Sequence, residues 1–161
     1  MAYFEINSLL VKHKSYEGIK TVLDIDHLEI QKGETYGIVG ESGQGKTVLA
    51  LTILQLLQTP PGFIEKGEIM LDGEDLLKKS TKQMQRLVRG SKVAMIFQDP
   101  MTSLNPTMKV GKQIEEMLKE HRKEMSKADR KTRAIELLSL VGISNPEARY
   151  DQYPHQLSGG M

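Results

Sequence analysis

Gly40-Glu41-Ser42-Gly43-Gln44-Gly45-Lys46-Thr47 fits the pattern G-x-x-x-x-G-K-[ST], a phosphate-binding loop. The apolar run Tyr36-Gly37-Ile38-Val39 precedes it and Val48-Leu49-Ala50-Leu51-Thr52-Ile53-Leu54 follows it, so the flanks predict strand, loop and helix in that order. Glycines let such a loop curl with its N–H groups inward, and the helix that follows adds its positive end. Phosphate oxygens then meet several donors at once. Gly40, Ser42, Gly43, Gln44, Gly45, Lys46 and Thr47 are therefore candidate ligands of a nucleoside triphosphate. Lys46 is the group that reaches the β- and γ-phosphates, and the Thr47 hydroxyl is a candidate Mg²⁺ ligand.

Upstream of the loop the chain reads as strands. Phe4, Ile6 and Leu9-Leu10-Val11 lead into a polar loop over residues 12–18, and residues 22–30 alternate apolar and polar. The alternation slips near His27, which predicts a bulge there and a structural histidine. Downstream, Thr59-Pro60-Pro61-Gly62 breaks the helix, and Glu68-Ile69-Met70-Leu71-Asp72-Gly73 reads as strand and turn. Met84, Leu87 and Val88 fall at helical spacing. The continuous apolar run within Lys92-Val93-Ala94-Met95-Ile96-Phe97 suits a buried strand of a parallel sheet. Beyond a loop over residues 98–106 the pattern turns helical. Val110, Ile114, Met117, Leu118 and Met125 share one face, and Ser126 with Asp129 makes a capping box for a helix that stops at Gly142.

Composition narrows the function classes. At 161 residues the chain makes one compact domain or part of a larger one. Lys+Arg 22 against Asp+Glu 21 leaves a net charge of +1, without the basic excess of a nucleic-acid binder. There are no cysteines, which excludes disulfides and thiolate metal sites and fits a reducing cytosol. The first residues lack the charged and apolar regions of a secretory signal. The longest largely apolar stretch, residues 48–57, is about half of what spans a bilayer. Any membrane role is thus expected to run through a partner. The mixed charges between Lys119 and Arg133 read as a solvated face.

Two further motifs join the loop. Gln98 stands just past a predicted core strand, where strand ends of an α/β sheet meet ligand. Leu157-Ser158-Gly159-Gly160-Met161 places a hydroxyl and two glycines in a row, another anion-binding nest. In this order and spacing the three resemble the nucleotide-binding domain of ABC transporters: Walker A loop, Q-loop and the signature usually written LSGGQ. The resemblance covers essentially the whole chain. The segment Phe97-Gln98-Asp99-Pro100-Met101-Thr102-Ser103-Leu104-Asn105-Pro106, with Met161 in place of the signature Gln, is similar to the oligopeptide/dipeptide/nickel importer subfamily.

The resemblance implies an α/β fold. A P-loop NTPase core carries an N-terminal antiparallel β part and a helical subdomain, with the C-terminal half of the core missing. Residues 1–97 would form the β part and the incomplete core, and residues 98–161 the Q-loop and the helical subdomain ending at the signature. It also implies roles. Tyr16 would stack on adenine, and residues 42–47 would hold the phosphates of ATP, with Lys46 supplying charge as a catalytic residue. Thr47 would bind Mg²⁺, and Gln98, also catalytic, would bind Mg²⁺ or orient water. Ser158, Gly159 and Gly160 would touch the ATP of a second ATPase subunit in a head-to-tail pair, expected to be a heterodimer. The implied partners are integral membrane permease subunits and, indirectly, an extracytoplasmic solute-binding protein, with no nucleic acid. The implied place is the cytoplasmic face of the plasma (inner) membrane, as a peripheral subunit energising uptake of peptides or a related solute.

One departure from the family pattern is larger than any substitution. The family's Walker B strand ending in Asp-Glu, its D-loop and its switch His have no counterpart in residues 1–161, and His155 reads as an ordinary loop residue. The expectation is an N-terminal fragment of an importer ATPase that is poorly stable and hydrolyses ATP negligibly by itself. The alternative is a short nucleotide-binding protein that pairs with a full-length ATPase without hydrolysis. A soluble ABC ATPase of DNA repair or translation is disfavoured by the Q-loop segment and by the missing basic stripe.

Overall fold

Apolar–polar alternation builds a long hairpin, β1 (Phe4–Ser15) and β2 (Gly18–Ile30), paired antiparallel from Phe4 opposite Ile30 to Ser15 opposite Gly18. The computed structural model describes residues 2–98 and 103–161. Strand β3 (Gly62–Leu71) pairs with the other side of β1, and the short β4 (Glu74–Asp75) completes an antiparallel sheet of order β2-β1-β3-β4. The buried face carries Ile6, Leu9, Val11, Leu23, Ile69 and Leu71. Against it pack Leu49 of α1 (Lys46–Ile53) and then Leu76, Met84 and Val88. Each fully buried aliphatic side chain is worth roughly 1.5–3 kcal/mol. That burial, rather than helix propensity, holds α1, because eight residues are too few for a helix stable in water alone.

The chain divides into two compact units, Met1–Val93 and Ala94–Met161. In the second, α3 (Val110–His121), α4 (Lys127–Leu140) and α5 (Pro146–Tyr150) surround Val110, Ala134, Leu138 and Tyr150. The capping box of α4 forms as the sequence predicts. Ser126 Oγ accepts from Asp129 N at 3.2 Å, and an Asp129 carboxylate oxygen accepts from Ser126 N at 3.3 Å. Helix α4 ends at Leu140, and Gly142 follows with φ +80°. Met117 is exposed, so the apolar stripe of α3 is narrower than the sequence pattern implies.

Several expectations need correction. The polar stretch over residues 12–18 is largely strand: β1 runs to Ser15, because Lys12, His13 and Lys14 have ladder partners in β2 whatever their polarity. No bulge lies at His27, which sits in register opposite Asn7 and shares a 2.8 Å hydrogen bond between its Nδ1 and Asn7 Oδ1. The slip falls at Val22 instead, since Val11 faces Leu23 while Lys12 faces Thr21. A second irregularity lies where Gly67, at φ +119°, meets β1. A Cβ there would stand 2.5 Å from Leu9 Cα.

The Met84–Val88 segment, which continues the short α2 (Thr81–Gln83), is π-wound, with Arg89 N donating to Met84 O at 2.8 Å. The wider turn buries Met84 and Val88 together and turns Leu87 outward. Residues 36–39 and 94–97, both expected as strands, have no regular structure, with Val93 making only an isolated bridge to Arg89. Val39 and Ile96 are each 95% exposed. A strand exists only through hydrogen-bonded neighbours, and the described residues pair with neither segment. Asp99, Pro100, Met101 and Thr102 of the loop expected after Gln98 lie outside the described residues.

Candidate functional site

The phosphate loop takes its shape from two left-handed glycines, Gly43 at φ +84° and Gly45 at φ +88°. Gly45 is also pinned from behind by β2: a Cβ on it would lie 2.7 Å from Leu23 Cδ2 and 2.9 Å from Val22 O. No other residue type satisfies both demands. Gly45 precedes α1 and offers no side-chain cap, and the first helical bond is Leu49 N to Gly45 O at 2.8 Å. The leading N–H groups of α1 therefore remain available as donors to an anion, with the positive end of the helix behind them.

Lys46 folds its side chain back over the loop. Its Nζ donates to Gly40 O at 2.6 Å and Glu41 O at 2.7 Å, which fixes an ammonium above the curled backbone. Gln44 Oε1 accepts from Glu41 N at 3.1 Å and braces the same turn. Ser42 and Thr47 are exposed, with Thr47 in the first turn of α1. A cleft of about 480 Å³ opens beside the loop, lined by Gly40, Gln44, Gly45 and Lys46, by Ile38 and Val39, and by residues 22–25 of β2. This donor set suits a triphosphate: backbone N–H groups, one ammonium and one hydroxyl, with no carboxylate of the loop turned onto the lysine.

Of the remaining expected site residues, Tyr16 belongs to the first unit and Gln98, Ser158, Gly159 and Gly160 to the second. Tyr16 stands at the tip of the β1–β2 hairpin, fully exposed, and does not line the cleft. Gln98 is exposed in the second unit, at the edge of the described residues. Ser158, Gly159 and Gly160 form an exposed turn closed by Met161 N to Ser158 O at 3.0 Å, beside a crevice of about 170 Å³ that Leu104, Pro154 and Leu157 also line. His155, expected in a loop, lies in the 3₁₀ turn Pro154–Gln156 and stacks on Tyr153, ring centroids 5.7 Å apart.

Sequence reasoning missed Val22 and Leu23, the wall behind Gly45, and the polar pair Glu115 and Tyr150 in the second unit. Nothing local marks them, because both arrangements join residues distant in the chain. Among the described residues no group of three or more His, Asp or Glu is placed to hold a metal, and no helix is long and apolar enough to cross a membrane.

Known proteins share this architecture. The ABC transporter family profile matches residues 23–161. The oligopeptide transport ATP-binding protein OppD of Bacillus subtilis (strain 168) is 52% identical over 157 residues, 98% of this chain and 43% of its own. The dipeptide transport ATP-binding protein DppD of Escherichia coli (strain K12) is 45% identical over 161 residues, 100% of this chain and 48% of its own. Among solved structures, the dimeric post-hydrolysis state of the ATP-binding cassette MJ0796 bound to ADP and Pi superposes with a TM-score of 0.82 at 26% identity. That match covers 98% of this chain and 64% of the cassette. The chain thus spans less than half the length of these curated relatives and about two thirds of the solved cassette. Its α/β phosphate-loop core, antiparallel β part and helical unit are those of an ATP-binding cassette, and the chain belongs to the ABC transporter family.

Proposed function

We propose that this chain is the nucleotide-binding portion of an ATP-binding subunit that powers uptake of oligopeptides or dipeptides. The observation that carries nucleotide binding is the cradle over residues 40–47, where Gly45 is wedged against β2 and Lys46 is held over the loop. The peptide class rests on what the relatives at 52% and 45% identity are called. In this reading the backbone of residues 42–47 and the α1 N-terminus bind the phosphates, Lys46 neutralises them, and Thr47 and Gln98 serve Mg²⁺. Tyr16 stacks on the base. Ser158, Gly159 and Gly160 meet the ATP of a second ATPase subunit, and both subunits attach to membrane permease subunits at the cytoplasmic face. A heterodimer and an extracytoplasmic solute-binding protein complete the assembly.

Bound Mg²⁺-ATP would supply the reactive phosphoanhydride, while this chain's residues orient it. The acidic pair that the family places after the signature is not among residues 1–161. The chain assayed by itself is therefore expected to bind ATP and turn it over very slowly. Calorimetric titration with Mg²⁺-ATP tests the reading. Removing one charge-assisted partner of the phosphates costs about 1.5–3 kcal/mol, so Lys46→Ala should weaken binding at least about tenfold. Equal affinity in wild type and Lys46→Ala would refute the cradle.

A further inference from the structure

The first two turns of α3 carry polar groups that an apolar helix face would lack. Glu115, 8% exposed, accepts a hydrogen bond from Tyr150 Oη, and Lys112 Nζ donates to both of its carboxylate oxygens at 3.0 Å. Tyr150, 2% exposed, lies so close over Gly111 that a Cβ there would overlap its ring. Two more bonds tie the chain just after Tyr150 to the start of α3. Val110 N donates to Gln152 O at 2.8 Å, and Lys109 pairs with Asp151 at 2.9 Å. Six residues beyond Gln152 the turn over residues 158–160 begins, its approach anchored by Leu157 against the same core.

The other side of that helix end holds a different segment. Gln113 Oε1 accepts from Asn105 N at 2.9 Å, while Gln113 Nε2 donates to Asn105 O at 2.9 Å and to Met108 O at 3.0 Å. Independently of α3, Leu104 shares one crevice with Leu157 and residues 158–161. Residues 105–108 and 150–152 are therefore fastened to one helix end from two sides, and Leu104 lines one crevice with the turn holding Ser158.

We propose that Tyr150 and Glu115 are positioning residues for the Ser158-Gly159-Gly160 turn, and that Gln113 extends the same brace to residues 105–108, so that both loops move as one body with α3. None of the three lines the cleft beside the phosphate loop. Tyr150 and Glu115 act through the backbone of residues 150–157, and Gln113 through residues 105–108. Leucine in place of Glu115 removes the acceptor, whereas glutamine keeps it. Without the acceptor, the buried Tyr150 hydroxyl must find another partner, and its strap shifts. This inference rests on reading the turn as the contact to a partner's ATP.

Amide exchange of the full 161-residue chain without nucleotide, followed by NMR, tests the brace. The informative amides are those of Val110, Gln156, Leu157 and Met161, whose acceptors are Gln152, Tyr153, Pro154 and Ser158. Exchange at these amides should accelerate about tenfold in Tyr150→Phe and Glu115→Leu, and stay within about twofold of wild type in Glu115→Gln. Gln113→Ala should accelerate the Met108 amide in the same way. The amides of α4 should keep wild-type rates throughout. Unchanged rates in Glu115→Leu, equal effects of Glu115→Leu and Glu115→Gln, or an acceleration in α4 matching that of the turn would each overturn the brace. A separate Mg²⁺-ATP titration of the wild type distinguishes failure of the nucleotide reading from failure of the brace.

Discussion

Gly45 shows how much one position can be asked to do. The motif marks it as a place where phosphate needs close backbone, but the structure adds an unrelated constraint, the packing of Val22 and Leu23 against its α-carbon. Alanine there would cost about 1–2 kcal/mol in left-handed backbone strain alone, and the overlap with Val22 O would add to it. Gly45→Ala is thus expected to lower the urea midpoint of the first unit and to abolish measurable Mg²⁺-ATP binding together. Wild-type values for both would refute this account of the loop. Gly43, with nothing within 4 Å of a built Cβ, carries only the backbone demand. The pattern fixes Gly45 and leaves position 43 open, and the packing supplies the physical reason for the difference.

At the scale of the element, polar groups decide where helices start, stop and lean. Arg89 closes α1 by donating to Leu54 O at 2.8 Å and Gln55 O at 2.7 Å, a cationic cap at the negative helix end. In the second unit, burial by itself would push the Glu115 carboxyl up. The hydrogen bond from Tyr150 and the Lys112 ammonium outweigh that and hold it below the ordinary glutamate value. A carboxyl depressed by folding stabilises the folded state above its unfolded value of about 4.3, and that contribution fades as pH falls through the folded value. Helical melting followed between pH 6 and pH 3 should therefore show stability dropping below about pH 4.3. Glu115→Gln should flatten the drop. A residual slope is expected from Asp151, which Lys109 also holds below its usual range. An identical pH profile in the variant would show that Glu115 contributes nothing.

Across the whole molecule, each unit has its own apolar cluster, one around Ile6, Leu9 and Ile69 and one around Val110, Ala134, Leu138 and Tyr150. Leu138→Ala should cost the second unit about 2–5 kcal/mol and leave Mg²⁺-ATP affinity unchanged, because Leu23 and Leu49, which back the phosphate loop, belong to the first cluster. Circular dichroism melting beside nucleotide titration checks this. A proportionate loss of affinity would show that the two cores are thermodynamically one.

Much of this was legible in the chain itself. The phosphate loop, the capping box at Ser126 and the stop at Gly142 follow from local spacing, because each depends on residues within a few positions of one another. The family follows from the order of three short motifs along the chain. The fate of residues 36–39 and 94–97 did not. Their apolar runs advertise strands, yet a strand is defined by neighbours that only the assembled sheet supplies. The bulge at Val22, the π-turn over Met84–Val88 and the Glu115–Tyr150 pair likewise arose from register and packing between distant segments. Sequence alone determined the loop and its lysine, since a curled backbone and one ammonium are encoded within eight residues. Tertiary structure alone decided which side chains hold that loop and the Ser158 turn in place, because those distances are set by burial across the fold.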